Sequence, residues 1–106
     1  ELVLKETTKS IQESIRKTDI LCRFGGEEFT LIFKATGLAD ALIITEKIRS
    51  AVENNALEHE GKKLSITISL GVTEFQKRDN AAALLERADQ ALLRAKQSGK
   101  NRVKSA

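Results

Sequence analysis

Ile20-Leu21-Cys22-Arg23-Phe24-Gly25-Gly26-Glu27-Glu28-Phe29-Thr30-Leu31-Ile32-Phe33 is the stretch around which this 106-residue chain is organised. Two apolar, strand-like runs flank a Gly-Gly pair, and glycine enters the positive-φ wells that tight hairpin turns require. The pattern predicts a β-hairpin, its first strand opened by Asp19 and its second running from Phe29 to about Phe33. Glu27 and Glu28 stand directly beyond the glycines. Turn glycines leave bare backbone that a phosphate can approach, and adjacent carboxylates are hard oxygen ligands of the kind Mg²⁺ takes. Taken by itself, the same string also describes a plain acidic hairpin tip.

Upstream of the hairpin, Leu4, Thr8, Ile11 and Ile15 recur at helical spacing and predict an amphipathic helix to about Arg16. Downstream, Thr36-Gly37 breaks the strand pattern. Ala41, Ile44, Ile48 and Ala51-Val52 then mark a second helix to about Glu53, stopped at Asn54-Asn55. Residues 56–63 are polar and loop-like, with a small irregular hairpin expected around Gly61. Leu64, Ile66, Ile68, Leu70 and Val72 alternate with Ser65, Thr67 and Ser69, the cleanest strand signal in the chain. Asn80 suits the N-cap of a third helix whose apolar face is Leu84-Leu85, Ala88, Ala91-Leu92 and Ala95. Gly99 is placed at its C′ position, and Val103 in a short terminal strand. The order α-β-β-α-β-α-β, without repeats or linkers, predicts a single α+β domain with helices covering an antiparallel-rich sheet.

Composition narrows the chemistry. The net charge of +3 is mild, cations are interleaved with acids, and only four phenylalanines are present. A nucleic-acid binder would more often concentrate a basic stripe with stacking aromatics, so no nucleic-acid partner is expected. The single cysteine, Cys22, excludes an internal disulfide and a cysteine-based zinc site, and its apolar strand predicts burial. The single histidine, His59, lies between Glu58 and Glu60 in a polar loop, which leaves no credible histidine-based triad. No apolar run is long enough to span a bilayer, and no signal-peptide pattern opens the chain.

Gly25-Gly26-Glu27-Glu28-Phe29 is the GGEEF variant of the signature of GGDEF-domain diguanylate cyclases, which this chain resembles over nearly its whole length. Arg16-Lys17-Thr18-Asp19 is similar to the family's RxxD inhibitory motif and has the expected spacing from the first glycine. Ile66 to Val72 resembles a later core strand, and Ala88 to Arg102 resembles the closing AD-ALY-AK-GRN segment. The resemblance implies a ferredoxin-like nucleotidyl cyclase palm. The family's first strand and helix carry an aspartate metal ligand and the guanine-reading residues, and no counterpart of them is found in residues 1–106. The chain is therefore expected to be a partial GGDEF domain, truncated at its N-terminus and inactive when taken alone.

What the resemblance implies for function is specific. Two GTP molecules condense to cyclic di-GMP and two pyrophosphates in the full-length parent, with Mg²⁺ or Mn²⁺ as cofactor and a homodimer bringing two substrates together. Glu27 is expected as metal ligand and base, and Glu28 as an acidic supporter and second metal ligand. Gly25 and Gly26 would admit the nucleotide. Lys96 and Lys100 would hold its phosphates from one side of the last helix, with a solvated helix terminus as the plain alternative. Arg16 and Asp19 would bind product cyclic di-GMP and inhibit, with Arg49 as a secondary arginine; an ordinary helix-end ion pair is the alternative. Two residues depart from the family pattern: Leu93 replaces a tyrosine and Lys100 an arginine, and lysine lacks bidentate geometry. The parent is expected in the cytoplasm, with membrane anchoring left open, and attached to a sensory or receiver domain of unknown type. A non-catalytic GGDEF module that senses cyclic di-GMP or GTP is the second reading.

Overall fold

The computed structural model describes residues 2–25 and 28–106. The elements are α1 (Leu2–Ser14), β1 (Ile20–Gly25), β2 (Glu28–Ile32), α2 (Leu38–Asn54), β3 (Leu57–His59), β4 (Lys62–Leu64), β5 (Leu70–Val72), α3 (Ala81–Gln97) and β6 (Val103–Ser105). This is the α+β order read from the sequence, with the small hairpin near Gly61 present as β3 and β4. The strands form three two-stranded sheets: β1–β2 and β3–β4 antiparallel, β5–β6 parallel.

Each helix ends where local chemistry stops it. Asn80 Oδ1 accepts the Ala83 N–H at 2.8 Å and caps α3, as its residue type predicts. At the other end the Lys100 N–H reaches the Ala95 carbonyl at 3.0 Å, the six-to-one bond of a Schellman ending, with Gly99 at C′ and φ +126°. Gly37 has no side chain with which to cap α2. The Leu38 N–H instead donates to Glu74 Oε1 at 2.8 Å, across thirty-six residues of sequence.

α1 packs on α2, and α2 and α3 both pack on the parallel β5–β6 pair. The buried centre comprises Ile11 of α1, Ala41, Ile48 and Val52 of α2, Leu57, Val72, and Ala91 and Ala95 of α3. The two alanines let α3 lie close to the strands. Gly71 carries this further: a Cβ there would stand 2.2 Å from the Ala88 carbonyl oxygen and 2.3 Å from the Leu92 nitrogen. Beyond β5, Arg87 grips the loop that leads into α3. It donates to Thr73 Oγ1 at 2.7 Å, to the Glu74 carbonyl at 2.8 Å and to both carboxylate oxygens of Asp79.

Two expectations are corrected. The alternating segment from Leu64 to Val72 is not one strand; Leu64 ends β4, paired with Leu57, and Leu70–Val72 pair with β6. Residues 65–69 keep the alternation, Ser65 and Thr67 exposed and Ile66 and Ile68 half-buried, but no described strand runs beside them to complete a ladder. Cys22 is exposed rather than buried. Its strand pairs only with β2, so no second layer covers it among the described residues.

Candidate functional site

The β1–β2 ribbon carries the acidic signature. Its register runs from Ile20 opposite Ile32, through Cys22 opposite Thr30, to Gly25 opposite Glu28. The register shifts between Arg23 and Gly25, a bulge of the kind that re-aims residues at a ribbon's end. Gly25 closes β1 and Glu28 opens β2, so the expected substrate-binding glycine and the expected acidic supporter face each other at the tip. Glu28 is exposed, and no hydrogen bond or ion pair ties its carboxylate to another described residue. Gly26 and Glu27, the second glycine and the expected metal ligand and base, lie outside the described residues. Glu28 thus presents hard oxygen donors to solvent, which suits a divalent cation. No group of three metal-ligating side chains occurs among the described residues.

The RxxD residues form a closed turn. Arg16 donates through Nη2 to Asp19 Oδ1 at 2.9 Å and through Nε to Oδ2 at 3.2 Å, while its backbone N–H also reaches Oδ2 at 2.9 Å. The Asp19 N–H returns to the Arg16 carbonyl at 3.0 Å. Asp19 is held below the usual carboxylate range mainly by the Arg16 side-chain hydrogen bond, against an opposing effect of burial. Its side chain is 1% exposed, whereas the Arg16 side chain is 53% exposed. Arg16 Nη2 also donates to Thr36 Oγ1 at 2.8 Å and the Lys34 carbonyl at 3.2 Å, tying the turn to the β2–α2 connection. A shallow depression of ≈ 290 Å³ opens beside it, lined by Gln12, Ile15, Arg16, Lys17, Asp19 and Leu21.

Arg49 is not brought to that turn. It lies on α2 eleven residues past Leu38, roughly 16 Å along the axis from the helix end that follows the connection bonded by Arg16. Its guanidinium donates to Glu46 at 2.8 and 2.6 Å, to Glu53 at 3.2 Å and to Asn101 Oδ1 at 2.9 Å. These carboxylates raise the guanidinium's pKa further, the Glu46 hydrogen bond most of all. The Arg49 guanidinium, expected as a secondary product-binding arginine, is thus engaged along its own helix and with Asn101, and no described hydrogen bond joins it to the Arg16–Asp19 turn.

Lys96 lies in the last turn of α3, but Lys100 is not part of the helix. The chain turns at Gly99, and Lys100 itself has φ +62°, so the four-residue helical spacing does not place the two ammonium groups in one row. Both side chains are exposed, and none of the described hydrogen bonds or ion pairs engages either ammonium. Leu93, where the family has tyrosine, is 53% exposed on α3.

The model of the diguanylate cyclase GGDEF domain matches residues 1–102. The chain belongs to the GGDEF family. Diguanylate cyclase A of Treponema denticola is 39% identical over 104 residues, covering 97% of this chain and 28% of that protein. Among solved structures, the diguanylate cyclase SiaD of Pseudomonas aeruginosa, in complex with its activator SiaC, aligns with a TM-score of 0.94. It is 37% identical, covering 99% of this chain and 40% of that one. The GGDEF domain of DgcB from Caulobacter crescentus, in complex with c-di-GMP, aligns with a TM-score of 0.93 at 29% identity, covering 98% of this chain and 63% of that one. The chain thus spans less than a third of the length of that curated relative, and the GGDEF fold expected from the signature is the fold it adopts. No helix among the described residues is long and apolar enough to cross a membrane.

Proposed function

We propose that this GGDEF domain serves, within a full-length parent, as the catalytic unit that condenses two GTP molecules into cyclic di-GMP and two pyrophosphates. The observation that carries the reading is the ribbon register, which sets Gly25 against Glu28 at the tip of a hairpin whose sequence is the family signature. Bare glycine backbone there admits a triphosphate, while the exposed Glu28 and its neighbour Glu27 hold Mg²⁺ or Mn²⁺. When bound, such an ion lowers the pKa of a ribose 3′-hydroxyl and neutralises charge on the leaving pyrophosphate. Glu27 accepts the hydroxyl proton, and Lys96 and Lys100 hold the β- and γ-phosphates. Each domain presents one GTP, so two parents meet in a symmetric dimer to align both nucleotides. The Arg16–Asp19 turn and the depression beside it bind the cyclic product and restrain turnover, as the half-exposed Arg16 guanidinium supports. The reaction draws on cytoplasmic GTP, and an attached sensory or receiver domain sets its rate.

The deciding experiment incubates the full-length parent with GTP and Mg²⁺ and separates the nucleotides by chromatography. Cyclic di-GMP that forms with the natural protein and falls at least a hundredfold in Glu27→Ala is the expected result. Nucleotide binding without turnover in the natural protein would assign the domain to sensing instead. The replacement of the family's tyrosine and arginine by Leu93 and Lys100 is what favours that second reading.

A further inference from the structure

Residues 98–102 join α3 to β6 along a course that non-glycine residues do not take unaided. After Gly99 at φ +126°, Lys100 and Asn101 follow at +62° and +46°. The left-handed region crowds a Cβ against the backbone, and asparagine tolerates it better than lysine. Something must hold two such residues in succession, and the bonds converge on Asn101.

Its Oδ1 accepts from Arg49 Nη1 at 2.9 Å, its Nδ2 donates to Glu53 Oε2, and its backbone N–H donates to Ser69 Oγ at 3.1 Å. Arg49 is itself fixed by both oxygens of Glu46, and its side chain is only 15% exposed. The Glu53 carboxylate sits below its usual range, held there first by Asn101 and then by Arg49. The Asn101 carboxamide therefore ties the loop after α3 to α2, while its backbone N–H ties the same loop to the approach to β5. Directly before it stands Lys100, whose backbone is bonded at both ends, its N–H to Ala95 and its carbonyl accepting from Arg102 Nε at 3.0 Å.

We propose that Asn101 is a positioning residue that aims Lys100 at the nucleotide, with Arg49, Glu46 and Glu53 as the scaffold that holds the carboxamide. Three charged side chains of one helix are spent on orienting a single half-buried amide. That arrangement makes sense where the neighbouring lysine must keep one direction through each catalytic cycle. The inference rests on the phosphate-holding role given to Lys100 above, and it adds the groups that enforce that role.

The test is a kinetic cycle in the full-length parent. Asn101→Ala should raise KM for GTP about tenfold with kcat within twofold, the pattern of a lost uniform binding contact. Asn101→Gly, which accepts positive φ but lacks the carboxamide, should raise KM as much. In a Lys100→Ala background neither change should add more than twofold, because the residue acts through that lysine. An unchanged KM, rescue by Asn101→Gly, or an equal further loss without the lysine would each overturn the assignment. If the parent forms no cyclic dinucleotide, the catalytic reading fails, and amide exchange decides the positioning claim separately. The Lys100 N–H should then exchange at least tenfold faster in Asn101→Ala while the Leu70 N–H, bonded to Arg102, is unchanged. Unaltered exchange at Lys100 would overturn it.

Discussion

Replacing Gly71 by alanine tests how the middle of α3 is held against the sheet. Gly71 is the middle residue of β5, paired with Lys104 of β6. An added methyl would stand 2.2 Å from the Ala88 carbonyl oxygen, 2.3 Å from the Leu92 nitrogen and 2.9 Å from Leu92 Cα. All three are main-chain atoms of α3, so no rotamer change relieves the clash. Ordinary contact requires the helix to retreat by roughly 1 Å, and packed interiors do not absorb such shifts freely. The retreat strips contacts from Ala91 and Ala95, both wholly buried, and from Val72. Overpacking costs about 1–3 kcal/mol, and loosening this interface puts the loss near the upper value, about 3 kcal/mol. For a domain of this size that lowers Tm by roughly 12–24 °C. Urea denaturation of the parent, followed by a probe in this domain, should show a lower midpoint with the slope unchanged. A loss under about 0.5 kcal/mol, the level of an ordinary surface change, would refute the close approach of α3 to β5.

Asp79 supplies a pH test. Its carboxyl, held by Arg87 and then by the Gln76 N–H, titrates at about 2 against an ordinary 3.8. A depressed carboxylate stabilises the fold above the unfolded value and loses that contribution as pH falls toward the folded one. Stability measured by urea midpoint should therefore drop between pH 4 and about 2, and Asp79→Asn should flatten that part of the profile. Arg16→Ala should abolish inhibition by cyclic di-GMP while sparing initial turnover; inhibition that persists unchanged would remove the Arg16–Asp19 turn from regulation.

The fold was legible wherever the governing physics is local. Helical spacing of Leu4, Thr8 and Ile11 located α1, and the capping chemistry of Asn80 and Gly99 located both ends of α3. The Gly-Gly pair between apolar runs located the ribbon. Strand character between Ser65 and Ser69 failed because alternation selects a face, whereas a strand also needs a neighbour to bond. Exposure of Cys22 and capping of α2 by Glu74 were beyond the sequence for the same reason. Each depends on what a distant segment does or does not cover.

The candidate site shows the same division. Gly25 and Glu28 meet because a hairpin's register follows from its turn, which the sequence carries. Lys96 and Lys100 were expected in one helical row, yet the glycine that marks the helix's end also turns Lys100 out of that row. Where a helix stop and a helical spacing conflict, the stop governs, because the spacing holds only while the backbone stays helical. Arg49 sits one turn from acids on both sides, Glu46 and Glu53, a pattern that predicts internal pairing before it predicts a ligand. An arginine already satisfied along its own helix gains little from an incoming phosphate, because the new bond must first break an old one. The exposed Arg16 pays that cost differently. Its bonds to Thr36 and the Lys34 carbonyl are single hydrogen bonds at the surface, so a ligand that captures its outer face need not disturb buried Asp19.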